Sequence, residues 1–189
     1  MSVNLGLFFH YINRVIAIAV SRYWAWTLES YLSRKAGKCG SIKFAGHGRF
    51  TNISKLEIGH NVHVNSGAYW VCEGGLTIGD NTIFARNVTI YTRNHDHRGS
   101  ELPFDHSNVF RPVFIGRNVW VGANVTILPG AHIGDGAIIG AGAVVAGEIP
   151  QCAIVGAPKA QPIGHRDLEH YQKLDEAGAY HRPVYLPRR

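Results

Sequence analysis

From residue 58 onward the chain repeats every six residues. Ile58-Gly59-His60-Asn61-Val62-His63 is followed by hexads starting at Val64 and Trp70. Two residues are then inserted, and further hexads start at Ile78, Phe84 and Ile90. After a long excursion the pattern resumes at Ile115-Gly116-Arg117-Asn118-Val119-Trp120 and runs through Val121, Ile127, Ile133, Ile139 and Val145. Position one is Ile, Val, Leu or an aromatic residue, and position two is mostly Gly or Ala. Position five is small or β-branched, as at Val62, Ala68, Thr82, Val88, Val119, Val125, Ala131, Ala137 and Ala143. An α-helix would scatter position-one residues around its circumference, so this stretch is not helical. A fixed short repeat of this kind marks a solenoid. Three hexads make one triangular coil, each hexad being a short strand and a turn. Stacked coils form parallel sheets around a column of inward-pointing aliphatics, and Asn and Gly supply the corner conformations.

Glycine accounts for 22 of 189 residues, without a G-X-Y period, which excludes collagen and fits many tight turns. Charged residues are 17%, too few for a coiled coil, a disordered tail or a charged solenoid. The expected organisation is an N-terminal amphipathic helical segment over 1–36, a β-solenoid over 37–157 and a C-terminal tail over 158–189. The excursion 96–114 breaks the period, and a long loop in a compact fold points to function.

Residues 5–32 are rich in apolar and aromatic side chains, but the longest unbroken apolar run, Val15–Val20, is too short to span a bilayer. At 100° per residue His10, Arg14, Ser21, Arg22 and Glu29 share one side. Leu5, Phe8, Ile12, Val15, Ile16, Ala19, Tyr23 and Trp26 share the other. That pattern is a helix, or a pair of helices. Its apolar side either packs on the domain or a neighbouring subunit, or lies at the inner surface of a membrane. The net charge of +6 permits anionic partners. No run of five basic residues exists, so nucleic acid is not an expected partner. Cys39, Cys72 and Cys152 fit no zinc or CxxC spacing and read as reduced thiols in a cytoplasmic protein.

The segments Ile115-Gly-Arg-Asn-Val-Trp120-Val-Gly-Ala123 and Ile133-Gly-Asp-Gly-Ala-Ile-Ile-Gly-Ala141-Gly, closed by Gly156-Ala-Pro158, resemble the hexapeptide-repeat acyltransferases. Asn94-His95-Asp96-His97 is most similar to the sugar O-acetyltransferases of bacterial surface polysaccharides. Maltose and galactoside acetyltransferases share the preceding coil and a His matching His95. The resemblance implies an all-β solenoid, a left-handed parallel β-helix assembled as a homotrimer. It implies acetyl-CoA as donor, a sugar or glycan as acceptor and no metal. Departures occur at Ala143, Ala146-Gly147 and Ala157, so the cofactor contact made by the family's Lys at the position of Ala146-Gly147 does not carry over. Contacts made by the backbone survive such changes.

Direct acyl transfer from a thioester to a hydroxyl needs a base for the hydroxyl proton, and imidazole suits it with an ordinary pKa of about 6.5. His95 stands where the chain leaves the solenoid, and the resemblance makes it the catalytic base. By the same resemblance Ala123 and Ala141 bind the cofactor, beside Trp120 lining the slot and Lys159 placed with Arg166 to meet the coenzyme A phosphates. Asn65 and Glu73 match acceptor-contacting positions, with His97 placed to bind a sugar hydroxyl. Amide and carboxylate groups suit that task because both accept hydrogen bonds from sugar hydroxyls. The same base and slot serve N-acetylation of a nucleotide-linked amino sugar, which stays open. A zinc enzyme on this fold would need three converging His, and no His-x4-His pair occurs near the relevant coil.

Overall fold

The computed structural model describes residues 5–158 and 164–179, with only the backbone of residues 5–11. The chain divides into two units, Met1–Ala157 and Pro158–Arg189. The first opens with one continuous helix, α1 (Leu5–Lys35).

The solenoid follows. Coil 1 holds β1 (Lys38–Cys39), β2 (Ile42–Ala45) and β3 (Gly48–Thr51). Coil 2 holds β4 (Leu56–Ile58), β5 (Val62–Asn65) and β6 (Ala68–Val71). Coil 3 holds β7 (Leu76–Ile78), β8 (Ile83–Phe84) and β9 (Thr89–Tyr91). A hairpin of β10 (Arg93–His95) and β11 (Asn108–Phe110) then leaves the stack. Coil 4 holds β12 (Val113–Ile115), β13 (Trp120–Val121) and β14 (Thr126–Ile127). Coil 5 holds β15 (His132–Ile133), β16 (Ile138–Ile139) and β17 (Val144–Val145), and coil 6 ends the stack with β18 (Glu148–Ile149) and β19 (Ile154–Val155). The first strands of successive coils form one parallel sheet, β1-β4-β7-β12-β15-β18. The second strands form β2-β5-β8-β13-β16-β19 and the third β3-β6-β9-β14-β17. This is the parallel β-helix that the period of six predicts.

Both inward positions of the hexad are buried: position one from Ile58 through Val145, and position five from Val62 through Ala143 apart from Gly74 and Asn94, which stand where the period is interrupted. Two buried threonines replace aliphatics by bonding the backbone. Thr82 Oγ1 donates to the Gly116 carbonyl at 2.9 Å, and Thr92 Oγ1 donates to the Val71 carbonyl at 2.7 Å. The corners are set by Asn61, Asn81, Asn87, Asn118 and Asn124, all with φ between 56° and 58°. Asn tolerates this left-handed region better than most residues because its short side chain bonds locally. Here the side chains also link coils, Asn61 to Asn81 at 2.9 Å and Asn87 to Asn124 at 3.1 Å. The Gly of each Ile-Gly pair lies where coils approach most closely. A Cβ on Gly79 would stand 2.7 Å from the backbone nitrogen of Arg117.

The coils change length along the stack. Phe44 pairs with Val64 and Val64 with Phe84, a twenty-residue step, while Trp120 pairs with Ile138, an eighteen-residue step. The longer coils enclose larger side chains. Phe44, Phe50, Trp70 and Phe84 form a chain of ring contacts with centroids 5.0–5.5 Å apart. Coils 4 and 5 are filled by Ile, Val and Ala.

Helix α1 packs on coil 1 through Ala25 and Leu32, which are buried, and through Ser21, Leu28 and Glu29, which are half-buried. The Phe44 N–H donates to Glu29 Oε1 at 2.9 Å. Of the occupants weighed for the apolar side, packing on the subunit's own solenoid is the one the structure overturns. Ser21 and Glu29, from the polar side, turn toward the solenoid, while Val15, Ile16, Tyr23 and Trp26, from the apolar side, are exposed. Small residues at 21 and 25 let the helix approach, and the Glu29 carboxylate satisfies an edge-strand N–H. No helix among the described residues is long and apolar enough to cross a membrane.

The second unit contains α2 (Leu168–Glu176), whose N-terminus is capped by the Asp167 carboxylate accepting from the His170 N–H at 2.9 Å.

Candidate active site

The excursion is an ordered hairpin. Arg93 pairs with Phe110, Asn94 with Val109 and His95 with Asn108 in antiparallel register. His95 is thus held at the end of a strand at the corner between the third and first sheets, exposed to solvent. The loop folds back over it, and the Phe104 ring stacks on the imidazole with centroids 3.8 Å apart and planes 12° from parallel. Asp105 holds that loop together. Its Oδ2 accepts from the Ser100 N–H at 2.8 Å and the Ser100 hydroxyl at 3.2 Å. Its Oδ1 accepts from the Ser107 N–H at 2.8 Å and from the Ser107 hydroxyl. Led by the Ser107 hydroxyl, these donors hold the Asp105 carboxyl well below the usual carboxylate range.

Two depressions meet at His95. One is lined by Tyr69, Val71, Tyr91, Arg93, Asn94, His95 and Asn108. The Tyr69 and Tyr91 rings stand edge to face 6.1 Å apart. The other runs along the corners of coils 4 and 5, lined by Asn94 to Arg98, Val109, Arg111, Leu128, Pro129, Ala146 and Gly147. The arrangement offers a ring nitrogen between a tyrosine-walled pocket and a second cleft carrying Arg98 and Arg111.

His95 and His97 share the second depression, whereas Asn65, Glu73, Trp120, Ala123 and Ala141 line neither. Asn65 ends β5, at the corner between the second and third sheets, and its amide donates to the Phe84 carbonyl at 3.0 Å. Glu73 follows β6, on the same edge of the stack as His95 but one coil earlier. Its Oε1 accepts from Thr51 Oγ1 at 3.0 Å, toward coil 1, and its Oε2 is buried without a partner. Neighbouring Cys72 is fully buried. Burial, with the charge of Glu73 added, pushes its thiol up to about 12, so it is no nucleophile at neutral pH.

Ala123 and Ala141 stack at the corner where Asn65 lies, one hexad away from the corner of His95. The Ala123 carbonyl accepts from the Gly142 N–H at 2.8 Å. Ala141 is exposed, and among the described residues its N–H and C=O make no hydrogen bond. Trp120 stands on the outer face of the second sheet, 57% exposed, between Ile83 and Ile138. Lys159 lies outside the described residues.

Tyr69, Tyr91, Phe104 and Asn108 are the site residues that sequence reasoning passes over. Asn108 is notable because its Oδ1 is buried with no partner, while its Nδ2 donates to the His106 carbonyl at 3.0 Å and so fixes the amide's orientation. The outward position of Tyr69 and Tyr91 was readable, since each directly follows or precedes an inward one. Among the described residues no three His, Cys, Asp or Glu side chains converge as a metal site requires.

Residues 112–147 match the family model "Bacterial transferase hexapeptide (six repeats)". Among solved structures, the chain is 30% identical to a maltose O-acetyltransferase from Clostridium difficile 630, covering 74% of this chain and 78% of that one with a TM-score of 0.62. The chain belongs to the hexapeptide-repeat acetyltransferases. A second member of these hexapeptide-repeat enzymes, a galactoside acetyltransferase in complex with coenzyme A, is 28% identical, covering 85% of this chain and 77% of that one (TM-score 0.60). A hexapeptide-repeat acetyltransferase from Vibrio cholerae O1 biovar eltor, complexed with acetyl coenzyme A, shares the fold. It is 22% identical, covers 71% of this chain and 74% of that one, and gives a TM-score of 0.61. No curated protein matches the chain.

Proposed function

We propose that this protein moves an acetyl group from acetyl-CoA to a sugar hydroxyl during the building of a bacterial surface polysaccharide. The observation that carries the reading is His95. It is an exposed imidazole at the root of the excursion hairpin, open on one side to a pocket walled by Tyr69 and Tyr91. Flat aromatic faces beside hydrogen-bonding groups suit a sugar ring, which is apolar on its C–H faces and polar at its rim. The named maltose and galactoside acetyltransferases support a sugar as acceptor, and the coenzyme A complex supports the donor.

The step is direct. A neutral ring nitrogen of His95 takes the hydroxyl proton as the oxygen attacks the thioester carbonyl carbon. The tetrahedral intermediate collapses, the C–S bond breaks, and the proton passes from the imidazolium to the departing coenzyme A thiolate. No acyl-enzyme forms, in keeping with buried Cys72.

The working unit in this reading is a homotrimer. Cofactor residues Ala123 and Ala141 stand one corner away from His95, so within one subunit the width of the third sheet, up to about 20 Å for one hexad at about 3.3 Å per residue, separates them. A neighbouring copy brings the two corners together. The second sheet carries a surface suited to that contact, an outward ladder of Ile83, Trp120, Ile138 and Ile154 in register, with Ile154 78% exposed. Such apolar ladders are uncommon on monomers.

The test is thiol release from acetyl-CoA with a panel of sugars, using wild type and His95→Ala. Loss of about 10²–10⁴ in kcat is expected, the usual worth of a positioned general base, with the melting curve unchanged because His95 fills no core position. A His95→Ala enzyme retaining more than about a tenth of wild-type kcat overturns the assignment.

A further inference from the structure

Helix α1 is fastened to the solenoid by the wrong side for a helix that exists only to cover a core. Its contacts run through Ser21, Ala25, Leu28, Glu29 and Leu32. On the opposite side Ile16 is 54% exposed, Tyr23 61% and Trp26 63%. Trp24 extends this surface, its ring edge-on to Tyr23 with centroids 6.2 Å apart, and Tyr23 lies 6.5 Å from Trp26. The exposed aromatics therefore form a continuous group rather than isolated rings.

The charges on the helix have one sign. Arg14, Arg22, Arg34 and Lys35 are all exposed, while Glu29, the single acid between residues 5 and 35, spends its carboxylate on the Phe44 N–H. An apolar, tryptophan-bearing face flanked by Arg34, about 20° from Tyr23, and Arg22, about 40° from Trp26 at about 100° per residue, with no exposed acid, complements an anionic bilayer surface. There, aromatic rings settle at headgroup depth and basic residues meet phosphates. A second copy is a poorer occupant of this face. Two such helices laid together would oppose cation to cation, with no exposed acid on either to compensate, and the ladder on the second sheet already offers an apolar contact between subunits.

We infer that the outward face of α1, centred on Tyr23 and Trp26, docks the enzyme on an anionic lipid surface with the helix lying in the membrane plane. The helix does not span, because Arg14 and Arg22 interrupt it and its solenoid contacts hold its C-terminal half outside the bilayer. Attachment through coil 1 leaves the excursion hairpin, which departs after coil 3, about two coil spacings of roughly 4.8 Å further along the prism. The acetylation site would then face acceptors held near a membrane.

The experiment is co-sedimentation of the full chain with phosphatidylcholine vesicles and with vesicles containing phosphatidylglycerol. Wild type is expected to partition onto the phosphatidylglycerol vesicles and to be released progressively by salt. Tyr23→Ser/Trp26→Ser removes two rings of about 200 Å² each, and burying roughly a third of that area predicts a loss of about a hundredfold in partition. Arg22→Gln/Arg34→Gln should lose about fivefold per charge on the phosphatidylglycerol vesicles and little on phosphatidylcholine. These arginines are exposed and contact nothing in the core, so the charge variant tests the idea even should the aromatic variant fold poorly. Wild type remaining in the supernatant with phosphatidylglycerol vesicles overturns the inference. So does equal partition of both variants and wild type. A Tyr23→Ser/Trp26→Ser protein that keeps its melting curve but changes its mass in lipid-free solution would assign the face to subunit contact instead.

Discussion

Phe104 offers a direct test of whether the excursion loop acts on the base. Its ring lies 3.8 Å from the His95 ring and nearly parallel to it, and among the described residues no hydrogen bond to the imidazole holds it in place. The stack is therefore the contact that restricts the ring's rotation. Aromatic pairs are worth about 0.5–1.5 kcal/mol beyond their area. If all of that serves to hold the imidazole in its working orientation, losing it lowers kcat by about 2- to 12-fold. Phe104→Leu keeps an apolar side chain over the site and removes the stack. The assay is the initial rate of thiol release at saturating acetyl-CoA, for wild type, Phe104→Leu, His95→Ala and the double variant. Phe104→Leu should lower kcat within that range and leave the KM for acetyl-CoA unchanged. In the His95→Ala background the same substitution should have no effect, since there is no ring left to orient. An equal loss in both backgrounds would mean that Phe104 acts on the acceptor and not through His95. No loss in either would refute the stack as a positioning contact.

Three further outcomes follow from the same structure. Asn87→Ala should lose about 1–2 kcal/mol from its left-handed backbone and up to about 1 kcal/mol from the bond to Asn124, whereas Asn87→Gly loses only the second part; equal destabilisation of the two in urea would place the whole cost in the side-chain ladder. Iodoacetamide at a pH of about 8 should modify exposed Cys152 and spare Cys72, whose thiol is pushed up to about 12, and peptide mass spectrometry finding Cys72 alkylated in the folded protein would contradict its burial. Because the Asp105 carboxyl is held below its ordinary value, its ordering of the loop is present above the ordinary carboxylate pKa and is lost only as pH falls through the lowered one. Amide exchange at Ser100 and Ser107 should therefore stay slow down to a pH of about 4, and early loss of protection there would disprove the serine network.

The solenoid was legible because the position-one side chains, Ile58 to Val145, repeat on a spacing that neither a helix nor a simple strand can use. Coil 1 falls inside the bounds expected for the solenoid, 37–157, but its repeat is less conspicuous than the one that starts at residue 58. Phe44 and Phe50 are six residues apart and Ile58 follows eight later, the same spacing as Val64, Trp70 and Ile78. Yet this coil lacks the Ile-Gly corner that makes later coils conspicuous. What covers the apolar side of α1 was left open between the domain, a neighbouring subunit and a membrane, because a hydrophobic pattern records where apolar side chains are, not which side is small enough to approach a sheet. Position 95 could be singled out, since it stands where the repeat breaks and matches a family motif. Phe104 and Asn108 could not. Their approach to His95 depends on the hairpin register and on Asp105 closing the loop, and neither leaves a periodic trace.

The stepwise construction of the prism has a consequence for how such an enzyme can be remodelled. Coils 4 and 5 advance by eighteen residues and keep every side chain on its face. An in-frame duplication of eighteen residues there would lengthen the molecule by one strand spacing, about 4.8 Å, without rotating any neighbour. An insertion there that is not a multiple of six would turn the inward positions outward, and one of six or twelve would move every following strand to a different face. Height along the prism is thus a graduated scale, and the offset between the level of His95 and that of Ala141 can be altered only in whole graduations. Fine adjustment of reach is left to the excursion hairpin, whose length is free of the period and whose tip already rests on the imidazole.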